Sequence, residues 1–180
     1  TNRDQLKSLL FANAQAAPTD TQVDNLINFI RGVDTYDQDG DNNTTEEIHK
    51  LADIYNSDLI VVGKPDASIA DTGNSNFNKT DAYYRAQNGY NTFVSNKCGS
   101  NSCLQRTEVV IAGANNGILH AFKSSDGEEL WGYVPPMVYE NLERIPSSKA
   151  NTTNSVYGVD GSPVVKDIYF DDTPNDGSNN

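Results

Sequence analysis

Residues 107–134, which read TEVVIAGANNGILHAFKSSDGEELWGYV, carry the strongest strand and turn signals of the chain. Three short apolar segments in this stretch are separated by two turn signals, Asn115-Asn116-Gly117 and Asp126-Gly127. Asn-Gly and Asp-Gly between apolar segments are typical of tight hairpins, because glycine accepts the positive φ that such turns require. We therefore predict strands over residues 107–113, 118–123 and 128–134, joined as antiparallel hairpins.

Further strand signals lie on both sides of this stretch. Residues 59–63 form a short β-branched segment that ends at Lys64-Pro65. Residues 156–159 and 162–170 flank a turn at Asp160-Gly161 and are predicted as another pair of strands. Strands at intervals of about 8–12 residues favour an all-β architecture.

The N-terminal part has the period of helices instead. We predict a first helix from Thr1 to about Gln15 and a second that begins near residues 19–21 and ends at Gly32, since glycine is common just past a helix end. Apolar residues at i, i+3, i+4 and i+7 of the second helix predict that it packs on a neighbouring surface. These are Val23, Leu26, Ile27 and Ile30. The predicted fold is thus mainly β, preceded by a short α-helical segment.

Composition excludes some classes of function. The chain has 180 residues with 13 basic and 25 acidic side chains, which gives a net charge of −12 at pH 7. This balance argues against nucleic acid as a partner, because phosphate binding needs clustered Lys and Arg. No apolar stretch approaches the roughly 20 residues that span a bilayer. No targeting segment is visible, as would also hold for a mature secreted segment.

The two cysteines stand close together in the sequence. Four residues separate Cys98 from Cys103, and with Gly99 among them the segment can bend back and close a short disulfide. A disulfide requires an oxidising compartment, so this interpretation predicts an extracytoplasmic protein. Free thiols are the alternative, and a zinc site would need two further ligands that His49 and His120 do not supply as a paired motif.

The most distinctive chemical feature is the acidic segment at residues 34–47, DTYDQDGDNNTTEE. Carboxylates at alternate positions can converge on one point if the backbone curls, and they repel one another unless a cation is present. Ca²⁺ fits, because it accepts 6–8 oxygen ligands at flexible geometry. In one EF-hand register Gly40 is at position 6, Asp37 and Asp39 are at positions 3 and 5, and Glu46 is at position 12, but Thr35 at position 1 is a poor ligand.

A second register places Asp37, Asp39 and Asp41 at positions 1, 3 and 5, with Asn43 at position 7 and Thr45 at position 9. The alternative to both registers is a solvated acidic turn, because Asp, Asn and Gly form loops readily. We predict a calcium site. Its candidate ligands are Asp37, Asp39, Asp41, Asn43 and Glu46.

Motifs of known catalytic chemistry are missing from the sequence. There is no G-x-S-x-G nucleophile elbow, no Walker A motif and no G-x-G-x-x-G. His120 falls in a predicted strand among apolar neighbours and His49 flanks the acidic segment, so a structural role is expected for each. We predict that the protein is not an enzyme and has no catalytic residues.

The central stretch resembles one blade repeat of a quinoprotein-type β-propeller, in which glycines form the hairpin turns and a closing tryptophan, here Trp131, packs between blades. Around it, LADIYNSDLIVVGKP at residues 51–65 resembles the opening strand of the PilY/PilC-type pilus adhesins. WGYVPP at 131–136 resembles the close of their first full blade, and YGVDGSP at 157–163 their next strand pair. INFIRG at 27–32 matches the helix end that precedes their propeller, so the resemblance covers about residues 20–170 in the right order.

The resemblance implies an organisation for the chain. Residues 1–33 would be a helical lead-in, residues 34–47 an acidic Ca²⁺-binding loop, and residues 48–180 the first antiparallel blades of a β-propeller that continues in a longer chain. The D-x-D-x-D-N pattern from Asp37 to Asn42 is similar to calcium loops of that family, with Glu46 as the nearest substitute for their final aspartate.

The resemblance also implies a function. A type IV pilus-associated adhesin and pilus-biogenesis factor is not an enzyme, acts at the cell surface after export through the periplasm, and is controlled by calcium. Its expected partners are minor pilins at the pilus tip and a host-cell or abiotic surface. Two alternatives remain open: a fragment of a quinoprotein dehydrogenase that uses pyrroloquinoline quinone, and a propeller scaffold for envelope assembly.

Overall fold

The structure is a computed structural model that describes residues 2–65, 67–69, 76–98, 106–146 and 157–166. Within these ranges, four strands form one open sheet in the order β1-β2-β3-β4. The strands are β1 (Ile60–Val62), β2 (Val109–Gly113), β3 (Leu119–Lys123) and β4 (Glu129–Tyr133). The helices are α1 (Asn2–Leu10), α2 (Asp20–Ile30), α3 (Asp81–Gln87), α4 (Tyr90–Cys98) and α5 (Tyr139–Leu142). Two short 3₁₀ turns cover Phe77–Lys79 and Pro136–Val138.

The chain divides into two compact units. The first comprises Thr1–Val61 and Val110–Pro163, and it contains α1, α2, most of the sheet and α5. The second comprises Val62–Val109 and Val164–Asn180, and α3 and α4 lie in it. The domain boundaries drawn from the sequence, at residues 33 and 47, stay predictions.

Helix α2 begins and ends where the sequence predicts. The Thr19 side chain accepts a hydrogen bond from the Gln22 amide, and the Gln22 side chain accepts one from the Thr19 amide, which satisfies two free donors of the first turn. Gly32 follows the helix with a φ of +94°. Helix α1 ends at Leu10 instead of near Gln15, because the Ala14 amide bonds to the Phe11 carbonyl three residues back, a tighter spacing that closes a helix.

The core of the first unit lies between α1, α2 and α5. Leu10, Val23, Leu26 and Leu142 form a buried cluster, and partly buried apolar side chains surround it. This confirms the prediction that the apolar face of α2 packs on a neighbouring surface. The surrounding residues are Phe11, Ile27, Ile30, Val134, Tyr139 and Ile145.

The predicted hairpins are confirmed, with each strand one or two residues shorter at its start. Gly117 has a φ of +81° in the turn between β2 and β3, and its amide bonds to the Ala114 carbonyl. Gly127, with a φ of +78°, makes the turn before β4. Strands β3 and β4 pair antiparallel, and a bulge interrupts their register between Ala121 and Phe122.

Other expectations differ from the structure. Residues 157–166 contain no strand, although parts of two strands are predicted there; residues 156 and 167–170 lie outside the described residues. The side chains of Asp160 and Ser162, in place of a β ladder, accept the backbone N–H groups of Asn56 and Asp58. Pro163 has no N–H to donate to a ladder. The sequence also does not predict α3 and α4, which follow the polar segment.

The described residues form an open four-stranded, mainly antiparallel sheet with helices before and after it, and no propeller is identified among them. None of the helices described is long and apolar enough to cross a membrane. Cys98 is the last residue of α4, while Cys103 lies outside the described residues, so the disulfide between them stays a prediction.

Candidate metal-binding loop

The acidic segment forms a closed loop whose two ends are bonded to each other. The Asp34 amide donates to the Glu46 carbonyl at 3.0 Å, and Val33 and Glu47 form an isolated antiparallel bridge. One step outward, the Ile48 amide donates to the Gly32 carbonyl at 2.9 Å. The carboxylates between these ends are therefore held in one compact turn directly after α2.

Contacts with α2 hold one side of the loop. The Thr35 hydroxyl donates to the Asn25 carbonyl of α2 at 2.8 Å. The Tyr36 ring packs edge-on against Phe29, with the ring centroids 5.4 Å apart. Because its hydroxyl is bonded to α2, Thr35 is a poor candidate for the first ligand of a calcium site, which favours the register that begins at Asp37.

The backbone of the loop curls tightly between residues 37 and 43. Asp37 and Asn42 have φ values of +50° and +68°, a region that non-glycine residues seldom adopt, and Gly40 has +78°. Carboxylate oxygens accept backbone amides along the curl: Asp39 from Asp41 at 3.2 Å and Asp37 from Asn42 at 3.0 Å. These short-range bonds turn successive carboxylates towards the inside of the curl.

The structure brings three of the predicted ligands together. Asp37, Asp39 and Asp41 each offer a carboxylate oxygen, and these oxygens lie within 4.8 Å of one another. Two ligands of a common Ca²⁺ at about 2.3–2.6 Å each are at most about 5 Å apart, so the spacing fits this ion. The three carboxylates that alternate in the sequence therefore lie together, and their role as metal ligands stays a prediction.

A second cluster shares Asp39 and includes a residue that the sequence pattern does not indicate. Asp34, Asp39 and Glu46 also offer oxygens within 4.8 Å of one another. Asp34 is 1% exposed, and both of its carboxylate oxygens accept the Gln38 amide, at 3.0 and 2.8 Å. The position of Asp34, directly after the apolar Val33 and four residues before Gln38, is the sequence signal that could identify its side chain as turn-forming.

The remaining predicted ligand, Asn43, takes part in the hydrogen bonding of the loop. Its side-chain amide donates to Glu46 Oε2 at 3.2 Å, and its side-chain oxygen accepts the Thr45 amide at 3.2 Å and the Thr45 hydroxyl at 2.9 Å. Asn43 therefore positions Glu46 against the cluster, while its backbone carbonyl is the group that the predicted register assigns to a metal.

The loop is strongly anionic. Six carboxylates and no Lys or Arg occur between Gly32 and His49. Desolvation raises the pKa of Glu46, and the nearby carboxylates of Asp41, Asp39 and Asp34 raise it further. A divalent cation would relieve this repulsion, and an all-oxygen donor set matches Ca²⁺ better than it matches metals that prefer nitrogen or sulfur ligands.

Comparison with known proteins finds relatives of one kind. The chain is 31% identical over 159 residues to the type IV pilus biogenesis factor PilY1 of Pseudomonas aeruginosa strain PAO1, a match that covers 84% of this chain and 12% of that protein. It is 28% identical over 147 residues to a PilY1 homolog of Xylella fastidiosa, covering 79% of this chain and 10% of the relative. The chain thus spans about an eighth or less of the curated relatives that it matches. No protein-family model matches, and no solved structure matches.

Proposed function

Because the chain belongs to the family of PilY1-type type IV pilus factors, we propose that it is the calcium-binding, opening part of the β-propeller of such a factor, with no enzymatic activity. The observation that carries this proposal is the 31% identity to PilY1 across 84% of the chain. The whole factor would promote assembly of type IV pili and attach the pilus to a host-cell or abiotic surface.

The sheet supports the architectural part of the proposal. Its four strands are adjacent in the order in which they occur in the sequence, which is the arrangement of a propeller blade. Residues 48–180 would then begin the propeller, residues 34–47 would be the metal loop, and residues 1–33 would lead into it. Trp131 on β4 is 44% exposed, as expected of a residue that packs against a neighbouring blade.

The acidic loop is the proposed calcium site. Asp37, Asp39 and Asp41 would supply carboxylate oxygens, Asn43 a backbone carbonyl, and Glu46 a further carboxylate. Asp34 would add a buried negative charge beside the ion. Since the loop is bonded to α2 at one side, calcium would fix the loop in one conformation and hold the connection between α2 and the sheet in one orientation.

This placement suggests how calcium would regulate the factor. Without the cation, repulsion among the carboxylates would loosen the connection that leads into the propeller. With calcium bound, the propeller would be presented in one orientation to minor pilins at the pilus tip and to the attachment surface. The factor would act outside the cytoplasm, which it would reach through the periplasm. Calcium sites of extracellular proteins have dissociation constants up to the millimolar range, and an oxidising environment there would permit the Cys98–Cys103 disulfide.

The experiment that tests this proposal uses the whole protein in the bacterium that produces it. The gene is deleted and then replaced with the parent gene, with a variant that carries Asp37→Asn, Asp39→Asn and Asp41→Asn, or with Glu128→Gln as a control for loss of an exposed charge. Surface pili are counted by electron microscopy, and attached cells are counted with and without a calcium chelator.

We expect the deletion strain to lose surface pili and attachment, and the parent gene and the Glu128→Gln gene to restore both. At every calcium concentration, the strain with the triple variant should have the same numbers of surface pili and attached cells as the parent strain has in chelator. Unchanged piliation and attachment in the deletion strain would contradict the pilus function, whereas a fully calcium-responsive triple variant would contradict only the calcium site.

A further inference from the structure

A buried polar network connects the β3–β4 hairpin to the segment that follows the acidic loop. His120 on β3 is 0% exposed, and its Nδ1 lies 2.8 Å from Oε1 of Glu129 on β4. The other oxygen of Glu129 lies 2.5 Å from Nζ of Lys50. On the other side of the ring, Nε2 of His120 lies 3.2 Å from Nδ2 of Asn116, which also donates to the Lys50 carbonyl.

These contacts determine where the proton of a neutral His120 lies. An ionised carboxylate only accepts hydrogen bonds, so Nδ1 carries the hydrogen and donates it to Glu129. Nε2 is then an acceptor, and the Asn116 side-chain nitrogen donates to it. The second hydrogen of that nitrogen is donated to the Lys50 carbonyl, and the Asn116 side-chain oxygen accepts the Ile118 amide at 3.3 Å. In this form every polar group of the network has a partner of the right kind.

A second proton on His120 disrupts this pattern. Protonated Nε2 becomes a donor and faces the donor nitrogen of Asn116. The side-chain oxygen of Asn116 is 3.4 Å from Nε2, and it can accept the new hydrogen if the amide rotates. After rotation the Asn116 nitrogen no longer reaches the Lys50 carbonyl and its oxygen no longer accepts the Ile118 amide, so both hydrogen bonds are lost.

We propose that His120 is a proton-controlled latch: neutral and protonated at Nδ1, it holds Asn116 on the Lys50 carbonyl, and a second proton releases the segment around Lys50 from the β2–β3 turn. Lys50 lies three residues after Glu47, which pairs with Val33 in the bridge at the ends of the acidic loop. The latch therefore governs how the segment that leaves the acidic loop is attached to the sheet, whether or not the loop binds a metal.

Charged groups around the network bear on which ring nitrogen of His120 carries hydrogen. Glu129 on β4 faces Nδ1 directly, and Lys50 faces Glu129 from the segment after the loop. Arg31, at the end of α2, lines the same cleft as Lys50 and Glu129. The Phe122 ring stacks on the imidazole, with centroids 5.6 Å apart and planes at 11°, and contributes no charge. Glu129 is thus the one anion among the described groups that contacts His120, and it favours hydrogen at Nδ1.

The test is nuclear magnetic resonance of the full chain carrying His49→Gln, which leaves His120 as its one histidine. At neutral pH, ¹⁵N correlation spectra should show hydrogen on Nδ1 and none on Nε2. As the pH is lowered, the Asn116 side-chain amide signals should shift with the same midpoint as the His120 ring. Hydrogen on Nε2 at neutral pH, or Asn116 signals that do not move while His120 titrates, would overturn the proposal.

Hydrogen exchange measures the release itself. The Ile48 amide bonds to Gly32 and the Asn115 amide bonds to Asp53, on either side of Lys50. Their protection factors should fall about tenfold through the His120 titration, the effect of losing one internal hydrogen bond. The Lys123 amide, bonded to Glu128 at the far end of the hairpin, should keep its protection. Equal loss at all three amides would indicate general unfolding and would overturn a local latch.

Two variants make the outcome independent of any one substitution. Asn116→Asp offers only acceptor oxygens to Nε2, so His120 should take up its second proton at a higher pH than in the parent. Glu129→Gln keeps an acceptor for Nδ1 but removes the charge, so the second proton should bind at a lower pH. If the folded variants shift in the opposite directions, or if His120 stays neutral until the chain unfolds, the proposal is wrong.

Discussion

Nδ1 of His120 and Oε1 of Glu129 lie 2.8 Å apart because of the bulge in the β3–β4 hairpin. His120 pairs with Gly132 and Ala121 with Trp131, but Phe122 pairs with Glu129, so Leu130 is the extra residue on β4. In a regular ladder Phe122 would face Leu130, and Glu129 would point to the other face of the sheet. The bulge thus brings the Glu129 carboxylate to the face that carries the buried imidazole.

Replacing Glu129 should destabilise the chain in a pH-dependent manner. Burial would raise the pKa of Glu129, but hydrogen bonds from Lys50 and His120 outweigh it and lower the pKa. A lowered pKa means that the ionised form stabilises the fold above the ordinary glutamate range, and that this contribution is lost as the pH falls through the lowered value. We expect Glu129→Gln to reduce the free energy of unfolding by about 1–2 kcal/mol at neutral pH.

Urea unfolding at several pH values measures this effect. The difference between parent and Glu129→Gln should shrink as the pH falls through the lowered pKa of Glu129. Glu128→Gln is the matched control, since the Glu128 side chain is 68% exposed and 3.9 Å from Lys123 Nζ. A difference of the same size at acidic and neutral pH would show that the charge of Glu129 does not contribute.

Two glycines with nearly the same φ should respond differently to replacement by alanine. Gly117 has a φ of +81°, and a Cβ there would lie 3.0 Å from Leu142 Cδ2. Gly127 has a φ of +78°, and a Cβ there would meet nothing within 4 Å. We expect Gly127→Ala to cost about 1 kcal/mol for backbone strain and Gly117→Ala to cost about 1–3 kcal/mol more for overpacking. Equal midpoints of thermal unfolding for the two variants would contradict the packing of the turn against Leu142.

The helical core should be sensitive to truncation at one leucine and tolerant at another. Leu26 on α2 is 0% exposed within the buried cluster, whereas Leu9 on α1 is 48% exposed. Leu26→Ala should reduce the free energy of unfolding by about 2–5 kcal/mol, as is usual for a buried leucine. Leu9→Ala should change it by less than about 1 kcal/mol, since exposed sites contribute little. Chemical denaturation of both variants checks this, and similar losses would place the core elsewhere.

The stability of the metal-free chain should depend on pH through Glu46 of the acidic loop. Desolvation and the neighbouring carboxylates of Asp41, Asp39 and Asp34 raise its pKa, so the ionised form disfavours the folded state. The stability of the metal-free chain should therefore increase as the pH falls through the raised pKa of Glu46. It should level off below the pKa that Glu46 has in the unfolded chain. Glu46→Gln should make the metal-free chain more stable at neutral pH and remove that part of the pH dependence. A metal-free variant less stable than the parent would contradict this account of the loop.

Sequence patterns predict those parts of the fold that local chemistry determines. The Thr19 cap, Gly32 after α2 and the turns at Gly117 and Gly127 depend on residues within a few positions of one another. For the same reason, alternate spacing predicts that Asp37, Asp39 and Asp41 come together.

Features that depend on distant residues are not visible in the sequence pattern. The bulge that turns Glu129 towards His120 is set by packing across the hairpin, and no turn residue marks it. Residues 157–159 and 162–166 lie in predicted strands, but the side chains of Asp160 and Ser162 accept the backbone N–H groups of Asn56 and Asp58, and no strand forms there. Asp34 joins the acidic cluster through the bond between its amide and Glu46, twelve residues away along the chain.

Calcium binding by the acidic loop is measured by calorimetric titration of the full chain with Ca²⁺, beside Asp39→Asn and the control Asp53→Asn. Asp39 belongs to both carboxylate clusters, whereas Asp53 is an exposed carboxylate outside the loop. We predict saturable binding at one site in the parent and in Asp53→Asn. Asp39→Asn should lose at least about tenfold in affinity, since even the loss of an outer-shell partner of a metal ligand costs about 10–100-fold. Saturating calcium, at about 100 times its dissociation constant, should stabilise the parent by about 2.7 kcal/mol. A folded parent chain that binds no calcium, or an Asp39→Asn variant that binds it as tightly as the parent, would contradict the account.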